Sequence, residues 1–266
     1  MNYKVFLLTL LAAVVAGGCV PASGRIGTAG ADAAKVCHDT DGLEIPAYGA
    51  DEHVVVYDGF TSSYNHTTLI PDWVAYELLE TELNGEYRTK SSNFSRDPDL
   101  EGRQASREDY SRSGWDRGHM APKADMRWSS AAYWQSHYFT NICPQNHEFN
   151  AGDWNKLEKK VRKWAEQYGR VWVVCGPIFT THEYGTIGAA AVHVPDQFFK
   201  ALLVEDDGRY AAIAYVMPNY NRRRPLAEYA CTVDSLESLI GRDLFPGLED
   251  SVENAVEREI VWEYWQ

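Results

Sequence analysis

The chain has little positive charge. Its 266 residues carry 25 lysines and arginines against 38 aspartates and glutamates, which gives a formal net charge of −13. A protein that coats nucleic acid derives most of its affinity from Lys and Arg, so this balance excludes that class. Cysteine is also scarce: there are five, and none stands in a CxxC or Cys/His spacing typical of a metal site.

The sequence from residue 44 onward lacks internal repeats, low-complexity segments and a convincing linker. Hydrophobic residues make up 45% of the chain and charged residues 24%, which are ordinary values for soluble globular proteins. This composition excludes a disordered chain, a collagen-like fibre and a multi-span membrane protein. We therefore predict a single domain over residues 44–266, with enough apolar material for a substantial core.

The amino-terminal residues 1–19 resemble an export signal. One lysine precedes an apolar run at 5–15, and small residues at 16–18 lead to Cys19. Because the run is too short to span a bilayer comfortably, it predicts a secretory signal peptide. Small residues before a cysteine resemble the lipobox of bacterial lipoproteins, which predicts a lipid anchor at Cys19 and a periplasmic or cell-envelope protein. The alternative is ordinary cleavage and a secreted protein. Residues 20–43 are predicted to be a flexible tether.

Four cysteines remain if Cys19 carries a lipid: Cys37, Cys143, Cys175 and Cys231. An even number in an oxidising compartment permits two disulfides, with three possible connectivities. Cys175 follows the apolar residues 171–174, so it is also typical of a small buried side chain. The sequence leaves the pairing open.

Apolar periodicity predicts the secondary structure. Period-two or continuous apolar runs predict strands at 53–60, 171–175, 198–204 and 210–216, and the Asp-Gly pair at 207–208 predicts a hairpin. Helices are predicted at 71–83, which begins with proline, at 153–168, with Asp153 as cap, and at 233–240. Strands in hairpins mixed with separate helices indicate an α+β fold with a mainly antiparallel sheet.

One stretch, DRGHMAP at 116–122, combines residues suited to catalysis. Motifs on both sides of it share an order with a known family: PxWVxY at 71–76, FxxDP at 94–98, FTNICPQ at 139–145, FNxxxWxxLE at 149–158, CGP at 175–177, VPxxFFK at 194–200 and YVMPN at 215–219. Together these segments resemble the DNA/RNA non-specific endonucleases, with the pattern closest to the mitochondrial endonuclease G branch. The resemblance covers residues 54–219. It implies a ββα-metal (His-Me finger) fold, with a central, mainly antiparallel sheet flanked by helices.

His119, the last residue of DRGH, is predicted to be the general base. Cleavage of a phosphodiester needs an activated water, neutralisation of charge on the phosphate and help for the leaving oxygen. A neutral imidazole with an ordinary pKa near 6.5 suits the first task. Gly118 is predicted to give the backbone the freedom that aims His119. The other seven histidines are interpreted as surface or core residues.

Asn150 is predicted to be the metal ligand. Mg²⁺ prefers oxygen ligands and keeps several waters, so one amide oxygen can hold it when the scissile phosphate supplies another ligand. The resemblance implies a single Asn at this place as the direct protein ligand, with Mn²⁺ as a substitute for Mg²⁺. Asn150 also suits a turn before the helix at 153–168, and the two roles are compatible.

Three further residues are predicted to support the reaction. Glu158 is expected to hold metal-bound waters, with an i,i+4 pair with Arg162 as the alternative. Asn141 orients the active-site backbone or the substrate, unless it is a simple turn amide. Arg117 either binds phosphate or pairs with Asp116.

The sequence departs from the family at the phosphate-binding arginine. Its place, four residues before the aromatic of FxxD, is taken by Lys90, with Arg88 two residues earlier. Lys offers a point charge where Arg offers a bidentate fork. Either Lys90 substitutes, or Arg88 reaches the phosphate through a local shift.

These observations predict an exported, Mg²⁺-dependent hydrolase: an endonuclease that cuts DNA and RNA to 5′-phosphate ends. Two alternatives are a catalytically silent relative that binds nucleic acid or a protein, and a phosphodiesterase for small nucleotides. Whether the chain forms a homodimer is left open.

Residues 86–127 hold nine basic against eight acidic side chains, whereas the rest of the chain holds 16 against 30. The acidity therefore lies outside the segment predicted to face phosphate.

Overall fold

A large antiparallel sheet dominates the computed structural model, which describes residues 42–89, 93–220 and 222–266. The described part of the chain contains seven strands of this sheet, in the order β1-β2-β3-β6-β9-β10-β11. Their bounds are β1 His53–Val56, β2 Thr61–Asn65, β3 Ile70–Leu79, β6 Arg170–Ile178, β9 Gln197–Asp206, β10 Arg209–Pro218 and β11 Ala230–Cys231. Two small hairpins stand apart from it: β4 Asp116–His119 with β5 Ile142–Gln145, and β7 Thr186–Ile187 with β8 Val192–His193.

Helices cover the two faces of the sheet. They are α1 Arg107–Tyr110, α2 Ser130–Gln135, α3 His147–Phe149, α4 Asn155–Tyr168, α5 Val233–Ile240 and α6 Asp250–Arg258. Side chains alternate along the central strands. Val74 and Tyr76 join a core that includes α4 and the β4–β5 hairpin, whereas Trp73 and Ala75 join a second core that includes α5. The sheet is therefore buried on both faces.

The predicted helix at 71–83 is wrong, because these residues form most of β3. This strand lies between β2 and β6, and it is buried over most of its length. A strand with two buried faces has an almost continuous apolar sequence, which single-sequence periodicity does not separate from a buried helix. Pro71 is accommodated beside a register shift at Ser63/Tyr64 of β2.

The other predicted elements are present with small differences. The strand predicted at 53–60 ends at Val56 and turns into β2, while β6, β9 and β10 extend slightly beyond their predicted bounds. Helix α5 has the predicted bounds. Helix α4 begins at Asn155 after an irregular turn, Asn150–Trp154, so Asp153 does not cap it. Its carboxylate instead accepts hydrogen bonds from Lys156 Nζ and Tyr229 Oη, both at 2.7 Å.

Three of the cysteines considered for disulfides, Cys143, Cys175 and Cys231, are free thiols. An arrangement of two disulfides needs all four, so the structure does not adopt the arrangement that the sequence permits. The fourth cysteine, Cys37, lies outside the described residues, as do Cys19 and the predicted signal peptide. Within the described ranges, no helix is long and apolar enough to cross a membrane.

Candidate active site

The segment DRGH forms strand β4, which pairs with β5 in an antiparallel hairpin. His119 lies opposite Ile142, and Gly118 lies opposite Cys143. A Cβ atom on Gly118 would stand 2.0 Å from Gln145 Oε1, and Gly118 does not adopt a positive φ. Glycine is therefore needed here because the Gln145 side chain fills the space, and the predicted need for backbone freedom is wrong.

A cleft of about 340 Å³ opens beside this hairpin. It brings together the predicted residues Arg117, His119, Asn150 and Glu158, which come from β4, the irregular turn and α4. Six further residues complete its lining: Phe94, Pro122, Lys123, Ala124, Asn155 and Arg162. Four side chains predicted from two separate motifs therefore share one cavity.

His119 is held in an apolar corner of the cleft. Its ring packs against Phe94, at 5.3 Å between centroids, and against His137, at 5.2 Å. Its Nε2 atom is buried and has no hydrogen-bond partner among the described residues. Burial holds the pKa of His119 well below its usual value, and the nearby His137 and Lys123 lower it further. The imidazole is therefore neutral at physiological pH, as a general base requires.

Asn150 is oriented by Asp116, the first residue of DRGH. The Asn150 Nδ2 atom donates to Asp116 Oδ2 at 3.0 Å, and His147 Nδ1 lies 2.9 Å from the same oxygen. An ionised carboxylate only accepts hydrogen bonds, so the nitrogen of the amide must face Asp116. The amide oxygen is then fixed on the other branch of the group and is available to a cation. Sequence reasoning gave Asp116 no such role.

Asn141 orients the backbone that follows His119. It is fully buried, and its Oδ1 accepts from Ala121 N at 2.8 Å. Its Nδ2 donates to the carbonyl oxygens of Ala121 and Ser136, each at 2.9 Å. These three bonds occupy the amide, and Asn141 does not line the cleft. The structure therefore favours the predicted backbone role over substrate contact.

Glu158 lies on α4 among buried charges that sequence analysis did not connect with it. Burial raises the pKa of Glu158 to about 7, Lys200 opposes this rise, and Asp125 adds to it. Lys200 is itself fully buried, with Nζ 4.6 Å from the centre of the Trp154 ring. The ion pair of Arg162 is with Asp125, at 2.7 Å, so the alternative that Arg162 pairs with Glu158 is not what the structure shows.

Arg117 does not pair with Asp116, whose carboxylate bonds to His147 and Asn150. Its guanidinium carbon lies 4.9 Å from the centre of the Phe94 ring. The side chain also borders a second cleft of about 420 Å³, which Arg107 and Arg112 line as well. This position between two clefts suits contact with phosphate.

The structure describes only one of the two candidates for the missing phosphate-binding arginine. Arg88 is exposed and is absent from the described lining of the cleft. Lys90 lies outside the described residues. The prediction that one of them contacts phosphate therefore stays a prediction.

A hairpin that ends in histidine, followed by a helix, with an asparagine amide in the same cleft, is the arrangement of a ββα-metal nuclease. The model of the DNA/RNA non-specific endonuclease family matches residues 42–251, and the chain belongs to this family. The family predicted from the sequence is therefore confirmed.

Relatives and a solved structure agree with this assignment. The chain is 38% identical to "Nuclease EXOG, mitochondrial" of Danio rerio over 77% of its length and 64% of the relative. It is 31% identical to "Endonuclease G, mitochondrial" of Homo sapiens, over 72% and 69%. A crystal structure of an EndoG/EndoGI complex matches with a TM-score of 0.72 and 28% identity, covering 77% of this chain and 90% of that one. The predicted α+β fold, near the endonuclease G branch, is confirmed.

The predicted location is contradicted by these relatives. Each of the relatives named here, and a "Mitochondrial nuclease" of Saccharomyces cerevisiae at 30% identity, is mitochondrial by name. The prediction of an exported periplasmic, cell-envelope or secreted protein is therefore wrong. The prediction was based only on the apolar run and the small residues at positions 1–19, and these features carry no information about the location of the relatives.

Proposed function

We propose that this chain is a Mg²⁺-dependent endonuclease that hydrolyses DNA and RNA to 5′-phosphate ends. The chain spans a little under two thirds of the EXOG relative from Danio rerio, so the activity is argued from its own site. One observation carries the proposal: His119, whose buried Nε2 has no hydrogen-bond partner among the described residues, and Asn150, whose amide is oriented by Asp116, line one cleft. The domain that performs the reaction is assigned to residues 44–266.

The residues of the cleft fit a hard divalent cation. The Asn150 amide oxygen is turned away from Asp116, and Glu158 lines the same cleft, where its carboxylate can accept hydrogen bonds from metal-bound water. Asn150 would hold Mg²⁺ directly, and Mn²⁺ is an alternative with the same ligand preference. When bound, the metal neutralises charge on the phosphate and stabilises the departing 3′ oxygen.

The side chains of this chain do the remaining work. His119 accepts a proton from the water that attacks phosphorus in line, because its imidazole is neutral and the residue lines the cleft. Arg117, which lines both clefts, binds the phosphate. Asn141 keeps the backbone after His119 in place through its three hydrogen bonds. Glu158 accepts hydrogen bonds from water in its ionised form.

A plasmid assay separates this proposal from the two alternatives. Supercoiled plasmid, single-stranded RNA and a dinucleotide are each incubated with the protein in Mg²⁺ and in excess EDTA. Nicking and linearisation of the plasmid together with RNA degradation, all lost in EDTA, is the expected result. Binding of plasmid without cleavage supports the silent relative, and cleavage of the dinucleotide alone supports the small-nucleotide phosphodiesterase. Cleavage that survives EDTA contradicts the metal requirement.

A further inference from the structure

Helices α5 and α6 bring three carboxylates together far along the chain from the catalytic cleft. Asp234 and Glu237 lie on α5 and Glu257 lies on α6, and one oxygen from each lies within 4.8 Å of the others. We call these three residues the carboxylate cluster. Helix α5 packs against the second core of the sheet through Val233 and Leu236.

Glu257 gives the carboxylate cluster a buried and unpartnered ligand. Its side chain is 5% exposed, and its Oε1 has no hydrogen-bond partner among the described residues. Burial raises the pKa of Glu257 to about 9, and Glu237, Glu253, Asp243 and Asp234 add to the rise. The four charged groups that raise the pKa of Glu257 are all carboxylates.

The basic residues on these segments are engaged elsewhere. Arg242 donates to the carbonyl oxygen of Ala47 and to the Glu52 carboxylate, at 2.6 and 3.0 Å. Arg258 donates to Asn254 Oδ1. Within the carboxylate cluster, Glu237 accepts from the Leu244 backbone through one oxygen, Oε1, at 2.6 Å. The negative charge therefore has no protein cation to balance it among the described residues.

We propose that the carboxylate cluster binds one Ca²⁺ ion. The donors are oxygens only, which selects a hard cation over zinc or copper. Ca²⁺ bonds oxygen at about 2.3–2.6 Å, so opposite ligands are separated by up to about 5 Å, which accommodates the spacing of the cluster. Asp234 is exposed, so water can complete the coordination. The ion would join α5 to α6 and stabilise the carboxy-terminal region.

Calcium-dependent thermal unfolding tests this site. All measurements use the Asn150→Ala background, which removes the ligand of the catalytic cleft and makes the result independent of the proposed nuclease activity. We expect saturable binding of one Ca²⁺ by calorimetry. We also expect a Tm increase of about 5 °C or more at a free concentration about 100 times the dissociation constant.

Two variants and a control locate the binding. Glu257→Gln is expected to abolish both the Tm increase and the calorimetric signal. Asp234→Asn, at an exposed position that folding tolerates, is expected to weaken binding at least tenfold. Glu259→Gln makes the same charge change at an exposed position just after α6 and is expected to leave calcium binding unchanged. No saturable binding up to millimolar Ca²⁺ overturns the proposal. An equal response in Glu257→Gln also overturns it, because the ion would then bind elsewhere.

Discussion

The catalytic side chains depend on neighbours that fix their orientation. Asp116 holds Asn150 by its nitrogen, and Phe94 and His137 enclose the ring of His119. These contacts join residues that are distant in sequence. Asp116 and Asn150, for example, are 34 positions apart. Single substitutions can therefore separate the chemical role of a residue from the role of the group that positions it.

Replacement of His119 by alanine removes the proposed base. We expect the initial rate of plasmid cleavage to fall by a factor of about 10² to 10⁴, the usual contribution of a general base. The Tm is expected to fall by a few degrees, because the packing of the ring against Phe94 and His137 is lost, although Nε2 makes no hydrogen bond that would be lost. His53→Ala, an exposed histidine outside the lining of the cleft, is the control and should retain full activity. Near-wild-type cleavage by His119→Ala contradicts the assignment.

Replacement of Asp116 by alanine releases the amide of Asn150. We expect the Mg²⁺ concentration for half-maximal activity to rise about 10- to 100-fold, which is typical when a group behind a metal ligand is lost. The rate at saturating Mg²⁺ should change less, because the base and the ligand are both still present. The measurement is a Mg²⁺ titration of the cleavage rate.

The control for Asp116 is Glu148→Gln, which removes a nearby carboxylate that is exposed and faces Arg223 at 3.6 Å. Its Mg²⁺ titration should match that of the wild type. A loss of saturated rate in Asp116→Ala without a shift of the midpoint would show that Asp116 does not act through the metal ligand.

The β4–β5 hairpin is a structural unit held at Gly118 by close packing. The Gln145 side chain lies over Gly118, and the atoms nearest to an added Cβ all belong to Gln145. The hairpin carries His119 at its end, so a disturbance here reaches the proposed catalytic base directly.

Gly118→Ala is therefore expected to destabilise the protein by about 1–3 kcal/mol through overpacking and to reduce activity. Gln145→Ala opens the space, so the double variant Gly118→Ala/Gln145→Ala should recover stability relative to the sum of the single changes. Urea unfolding of all four proteins measures this coupling. Additive losses would mean that the glycine is required for its backbone and not for space.

Sequence patterns predicted the elements whose periodicity is unambiguous. The amphipathic stripe of α4 and the bounds of α5 follow from local spacing, and the residues of the cleft follow from motifs. Strand β3 was missed because burial of both faces removes alternation, and Gln145 was missed because its contact with Gly118 crosses a hairpin. Lys200 was missed for a related reason: its neighbours Trp154 and Met120 are distant in sequence.

Buried charges connect the core that contains α4 with the cleft. Lys200 lies on strand β9 and acts electrostatically on Glu158, as does Asp125. Arg162, on α4, forms an ion pair with Asp125. The pKa of Glu158, about 7, thus depends on a cation from another part of the chain.

Lys200→Met should raise the pKa of Glu158, because a cation that favours the carboxylate is lost. The acidic limb of the pH–rate profile then moves to higher pH, since the ionised form of Glu158 is the active one. Loss of the buried cation should also lower the free energy of unfolding by about 3–5 kcal/mol. Lys163→Met, at an exposed position of α4, is the control. An unchanged midpoint in Lys200→Met excludes Glu158 as the group that sets this limb.

The net charge of −13 predicts how the whole molecule responds to salt. Arg107, Arg112 and Arg117 line the second cleft, and Lys123 and Arg162 line the first. The chain as a whole carries 25 basic against 38 acidic residues. Each phosphate contact contributes a slope of about −0.9 for duplex DNA in a plot of log affinity against log salt concentration. We therefore expect log(1/KM) to fall with a slope of about −2 to −3. Arg112→Gln should reduce the magnitude of the slope by about one, whereas Arg258→Gln on α6 should not change it. A slope near −10 would show an extended binding surface that the charge distribution does not provide.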